Sequence, residues 1–396
     1  MVGAEQQLTD DNNRVENRVI PIPEVNLTRR ERFFKAVSHE KTETPPFYFT
    51  LCADLMREFA RKYGGADFRD FYEIPIREVF LGPTNLDLNE RFRDWTGNLP
   101  PGCAINEWGM GMQYGGTAHF YRMLGPLAGR LTPENIDALP FPDFDAQYRW
   151  EGVAEHIEEL KSRDLIVMTG IYGGADSGSG SRDTPAFVDI FESSWYLCGL
   201  DELLTAMYCE PEVAELLLER MTVFKEGIAA KWAAAGVDVM VYGDDVATQI
   251  SLMMSPEMWR SLLKPRLRRV IQAAKDVNPD VLIFYHSDGN IMEIIPDLIE
   301  VGVEILNPIQ PECMDPVEVA GKFGDRVCFW GTVGTQTTFP NGSPDDVVSV
   351  CRKMVDVVGK NGGLILAPTH ILEPDVPFEN VEAFARFVRP ARNITD

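Results

Sequence analysis

Eight short apolar runs punctuate this chain at wide intervals. They are PFYFTL (46–51), EVFLG (78–82), LIVMTG (165–170), VDVMVYG (237–243), VLIFYH (281–286), VEILN (303–307), VCFWG (327–331) and GLILAP (363–368). Each is continuously apolar, with no alternation of apolar and polar residues. That pattern marks strands covered on both faces. Helical segments separate them, and several carry start signals. Thr28-Arg-Arg-Glu31 forms a capping box ahead of Phe33, Phe34 and Val37. Ser255-Pro256 and Ser343-Pro344 pair a capping serine with a proline in the first turn. Strand–helix units repeated eight times predict an α/β fold of the (β/α)8 TIM-barrel type, as one domain over 27–392. A long insertion, about 83–160, falls between the second and third strands. An open doubly wound sheet is the alternative, but no strand runs into a Gly-x-Gly-x-x-Gly turn.

Charge narrows the function classes. The chain has 37 basic and 61 acidic residues, a net charge of −24. Nucleic acid and anionic membranes are therefore excluded as main partners, because phosphate recognition needs clustered Lys and Arg. No apolar run approaches the ~18 residues of a membrane span. Seven scattered cysteines without a Cys-x-x-Cys pair read as reduced thiols, which predicts a cytoplasmic protein. Cys313 and Cys328 read as buried thiols. Residues 1–26 form a polar arm suited to packing on another subunit, so a homodimer is a candidate assembly. Gly173 to Ser181 is rich in Gly and Ser, lacks the ending of a phosphate loop, and reads as a mobile loop over the site.

Parallel barrels place their chemistry at the C-terminal ends of the strands. Those ends here carry Tyr242, Asp244, Asp245 and Gln249, then His286, Ser287 and Asp288, then Asn307 and Gln310, then Thr332 and Gln336, then Thr369, His370, Glu373 and Asp375. Of the five histidines, His39, His119 and His156 lie in helical or inserted segments and read as surface or packing residues. His286 and His370 both end strands, which places them on one rim. His286, Asp288 and His370 offer N, O and N donors, a set that suits zinc with an open position. The metal-free alternative is acid–base work by a carboxylate-oriented histidine. One of the pair Asp244-Asp245 is expected to cap the following helix, leaving the other to bind substrate or to support a group that does.

VYGDDVATQ…SPEMWRSLLKP, FYHSDGNIMEIIPDLIEVGVEILNPIQ, CFWGTVGTQTTFPNGSPDDV and GLILAPTHILEPDVPFENV resemble the uroporphyrinogen decarboxylase superfamily. It includes the decarboxylase and zinc methyltransferases that serve corrinoid proteins. The likeness runs from TRRERFFKAVSHEKTETPP (28–46) to ENVEAFARFV (379–388) and implies the same barrel. Two departures bear on function. The decarboxylase's Met-Arg-Gln-Ala-Gly-Arg segment, whose arginines bind substrate carboxylates, is replaced by FYFTLCADLMREFARKYG, with Arg57 and Arg61 outside the motif. The methyltransferases' His-x-Cys pair and later Cys correspond to His286, Asp288 and His370, so N and O donors stand where thiolates are expected.

Without thiolates a zinc ion is more Lewis-acidic, better matched to an ether or carbonyl oxygen than to a thiol. The resemblance therefore implies a methyltransferase or demethylase. It would move a methyl group from a small methoxylated or methylated compound to a corrinoid protein. His286, Asp288 and His370 would hold zinc and act in catalysis. Tyr242, Asp244, Asp245, Gln249, Asn307, Gln310 and Gln336 would bind substrate. The corrinoid would arrive on a partner, since no Asp-x-His-x-x-Gly motif is present. A metal-free decarboxylase or lyase acting on a small acid, and a binding protein without chemistry, are the alternatives.

Overall fold

The computed structural model describes residues 27–97, 99–114, 121–170 and 190–389. The 1–26 arm, the 173–181 segment and His119 lie outside them. Ten strands follow in chain order: β1 (Ile76–Val79), β2 (Ala104–Ile105), β3 (Gly111–Tyr114), β4 (Tyr121–Leu124), β5 (Ile166–Thr169), β6 (Val239–Gly243), β7 (Leu282–His286), β8 (Ile305–Asn307), β9 (Cys328–Trp330) and β10 (Leu364–Ile365). Seven form one parallel sheet in the order β1-β5-β6-β7-β8-β9-β10.

The 46–51 run supplies the eighth stave through isolated parallel bridges, Phe47 to Leu366 and Leu51 to Leu372. The Tyr48 N–H donates to the Leu366 carbonyl at 3.1 Å, and the Leu366 N–H donates to Pro46 at 2.9 Å. On its other side the Tyr48 hydroxyl donates to Glu78 of β1. The expected barrel is thus present, with surrounding helices. Its second strand starts two residues earlier than the apolar run suggested, because Ile76 and Val79 supply the burial.

The helix starts follow their sequence signals. Thr28 and Glu31 form the reciprocal capping box, and Ser255 and Ser343 accept from the third backbone N–H of their helices. Asp315, ahead of Pro316, caps the helix Pro316–Phe323 by accepting the Val317 N–H at 2.8 Å. Inside the barrel, Trp330 packs against Phe33, Tyr48 and Phe284 with ring centroids 5.1–6.4 Å apart. These rings fill the barrel's interior below the polar rim.

Between β1 and β5 the chain carries an antiparallel sheet, β2-β3-β4, and short helices. Arg149 ties this region together. Its guanidinium is fully buried and pairs with Glu107 and, at 3.0 Å, with Asp143. Trp108 packs edge-on against Phe141, Phe144 and Phe224. Phe224 belongs to the 25-residue helix Pro211–Ala235, so the inserted segment is seated on the barrel's outer wall.

Candidate functional site

The parallel register decides which polar groups meet. Gly243 of β6 pairs with His286 of β7, and His286 pairs with Asn307 of β8. The three strands therefore end level, and the residues just past them crowd one small region of the rim. Gly289, with φ +89°, lets the loop after β7 turn tightly against its neighbour. A Cβ there would lie 2.5 Å from the Thr248 carbonyl oxygen.

His286 is held from the side. Its Nδ1 lies 2.6 Å from Asn307 Oδ1, and Asn307 Nδ2 donates to the Trp330 carbonyl at 3.0 Å. Gly331 gives that amide its room, since a Cβ would come within 2.9 Å of Asn307 Nδ2. The other ring nitrogen, Nε2, lies 3.7 Å from Asp245 Oδ1.

The adjacent aspartates have divided roles. Asp244 is buried and accepts N–H bonds from Ile190 at 3.1 Å and Glu192 at 2.8 Å. It thereby holds the start of the helix Phe191–Cys198, which precedes it in sequence; the helix that follows, Pro256–Leu262, is capped by Ser255 instead of by either aspartate. Asp245 points to the rim and accepts the Asp288 N–H at 2.8 Å. Asp245, His286 and Asp288 each bring one ligand-capable atom within 4.8 Å of the others. Tetrahedral zinc with bonds of ~2.1 Å needs ligand atoms about 3.4 Å apart, so a modest contraction suffices. Two carboxylates and one oriented imidazole fit a divalent cation, with positions left for substrate or water.

His370 is not part of this triad. It is half-buried, and its ring centroid lies 6.4 Å from that of His286. The third donor nearest the sequence-expected pair is Asp245, which the sequence reading gave to substrate. Spacing alone carries no signal for this, because Asp245 and His286 are brought together only by the β6–β7 register.

The remaining candidates separate. Gln310 is buried, and its Oε1 accepts the Gly289 N–H at 3.2 Å, bracing the loop after β7. Gln249 and Gln336 bridge the rim, Nε2 to Oε1, at 3.0 Å in an exposed position. Thr369 is buried and meets Thr335, hydroxyl to hydroxyl, at 2.9 Å. Tyr242 is a correction. It is fully buried, and its hydroxyl donates to the Val270 carbonyl at 3.2 Å, on the side of the surrounding helices. A strand's alternate faces explain this: Tyr242 points outward from the barrel and packs in the core.

Cys328 is buried as expected, whereas Cys313 is half-buried. Burial, then the Glu312 and Asp288 carboxylates, push the Cys313 thiol up. Arg57 and Arg61 lie on the exposed face of the helix Ala53–Tyr63, paired with Asp54 and Glu58. Where the first stave ends, Leu51 and Cys52 are buried instead.

Known proteins place this architecture. The family model described as "Uroporphyrinogen decarboxylase (URO-D)" matches residues 191–390. The uroporphyrinogen decarboxylase of Chlorobaculum parvum is 23% identical over 385 residues, covering 92% of this chain and 98% of that protein. That of Chlorobium limicola is 25% identical over 266 residues, covering 64% of this chain and 68% of its own. A methyltransferase from Methanosarcina mazei superposes with a TM-score of 0.62 at 19% identity, covering 92% of this chain and 99% of that one. This last likeness is one of fold.

Proposed function

The chain belongs to the uroporphyrinogen decarboxylase family, and within it we propose a zinc-dependent methyltransferase. It takes a methyl group from a small methoxylated or methylated compound and passes it to a corrinoid carried by a partner protein. The observation that carries this reading is the Asp245–His286–Asp288 cluster on the rim of the barrel. The name of the Methanosarcina mazei protein agrees with it.

Asp245, His286 and Asp288 would hold the metal. Bound there, zinc supplies Lewis acidity to an ether or carbonyl oxygen. Asn307 keeps the His286 ring oriented, and Gln310 braces the backbone of the next loop. His370, whose ring centroid lies 6.4 Å from that of His286, would give a proton to the departing oxygen as the carbon–oxygen bond breaks, the methyl group being taken up by the partner's reduced corrinoid.

The names of the curated relatives favour a second reading, metal-free decarboxylation of a small acid with His286 or His370 as proton donor. One experiment separates the two. Protein purified without chelator is analysed for metal, then assayed for methyl transfer from methoxylated aromatics with a corrinoid protein present. The methyltransferase reading expects about one zinc per chain and activity lost on chelation. Zinc-free protein, or turnover of a small acid that survives chelation, would overturn it. Binding without turnover of any kind would mark a binding protein.

A further inference from the structure

We propose that the mouth of the barrel selects substrates that carry no acidic group, preferring a cationic or neutral methoxylated compound over an anionic one. The choice of scaffold rests on the methyl-transfer reading; the charge preference rests on the structure's own distribution of charge.

The described segments that follow the eight staves are 50–53, 80–87, 170 with 190, 244–255, 287–294, 308–315, 331–343 and 366–377. None of them contains a lysine or arginine. The same segments supply Asp245, Asp288, Glu312 and Glu373. Arginines on two of the helices that follow these segments are committed elsewhere. Arg57 and Arg61 pair with carboxylates on their own helix, and Arg260 pairs with Asp297 at 3.0 Å.

The opposite end of the barrel differs in carrying cations among its carboxylates, such as Lys161 beside Asp238 and Lys275 beside Glu304. Lys161, Lys275 and Lys322 occupy the last turns of helices whose C-termini lead into the next strand. Arg326 and Lys360 lie in the loops entering β9 and β10. The described loops of the mouth thus hold carboxylates without the basic residues that accompany them at the other end.

A divalent cation held by Asp245 and Asp288 would neutralise those two carboxylates only. Glu312 remains. Its Oε1 accepts from Thr337 at 2.7 Å, while its Oε2 is buried with no hydrogen-bond partner. The hydroxyl of Thr332, itself 1% exposed, is likewise buried without a partner. A buried carboxylate oxygen lacking a donor is stabilised by a ligand that brings an N–H or O–H. An anionic substrate would bring another acceptor to a rim whose described charged groups are acidic, and no cation in the described parts of these loops would offset it.

A matched series tests this. 4-Methoxybenzylammonium, 4-methoxybenzyl alcohol and 4-methoxybenzoate share a ring and a methyl ether and differ in charge. Each is titrated calorimetrically into the protein as purified. The ammonium compound is expected to bind about tenfold or more tightly than the benzoate at low salt, with the alcohol between. The gap should narrow as added salt screens the rim. Gln336→Arg, on the exposed rim, should raise benzoate affinity and compress the series. Benzoate binding as tightly as the ammonium compound would overturn the proposal, as would failure of all three to bind. A preserved charge order without methyl transfer would instead remove the methyltransferase reading and leave this one standing.

Discussion

His286 Nδ1 and Asn307 Oδ1 meet 2.6 Å apart across neighbouring strands. Because Asn307 Nδ2 is committed to the Trp330 carbonyl, its Oδ1 is the acceptor, and the hydrogen sits on Nδ1. Nε2 then faces Asp245 with its lone pair. A metal ion between them would be bound by both, with Asn307 fixing the ring's orientation. Replacing Asn307 by leucine removes the group that sets this tautomer. Zinc affinity, measured by competition with a chromogenic chelator, should fall about 10- to 100-fold, the usual effect of losing such an outer partner. Unchanged affinity would show that the Asn307 contact does not orient a ligand.

In the proposed metal site the third ligand would be Asp245 and not His370. Asp245→Asn and Asp288→Asn should each lower the zinc content of purified protein to well under half. His370→Ala should keep its zinc and lose methyl transfer by about 100-fold, the scale of a proton donor. A His370→Ala protein that purifies without zinc would overturn the Asp–His–Asp set.

Asp244 carries structure instead of chemistry. Its carboxylate satisfies the Ile190 and Glu192 N–H groups at the start of the helix Phe191–Cys198. Asp244→Ala leaves these donors without their acceptor and should cost about 1–3 kcal/mol in urea unfolding. Asp245→Asn, on the rim, should leave the unfolding midpoint of metal-free protein nearly unchanged.

Acid should weaken the fold partly through Asp297. Burial raises its pKa, but hydrogen bonds from Lys264 and Arg260 outweigh that and hold the carboxyl below its usual range. Its folded pKa is lower than its unfolded one, so its contribution is complete above the unfolded value, near 4. It is lost as pH falls through the folded value. Asp297→Asn should therefore be less stable than the parent at pH 7. The difference should shrink as the pH drops below about 4, which unfolding midpoints across pH would show.

Much of the barrel is legible in the sequence because buried parallel strands leave an unbroken apolar signature. The runs at 165–170, 237–243 and 281–286 coincide with β5, β6 and β7 to within a residue or two. The helix starts at Thr28, Ser255 and Ser343 are equally local, each set by a side chain reaching its own third backbone N–H. Tyr242 shows where such reading stops. It ends the same run as Asp244, yet faces the helices, and the sidedness of a strand buried on both faces is invisible in its composition.

By itself, then, the sequence determined the strand–helix repeat, the rim on which His286, Asp288 and His370 would lie, and the replacement of the arginine motif after the first strand. These follow from local preferences and from the rule that parallel strands present their C-terminal ends together. Only the tertiary structure decided which of those groups touch. Asp245 lies 41 positions from His286 and Asn307 lies 21 from it, and the hydrogen-bonded register of β6, β7 and β8 is what sets all three side by side. That register is a property of the curved parallel sheet, fixed by pairings between segments distant along the chain, so no single run of residues contains it.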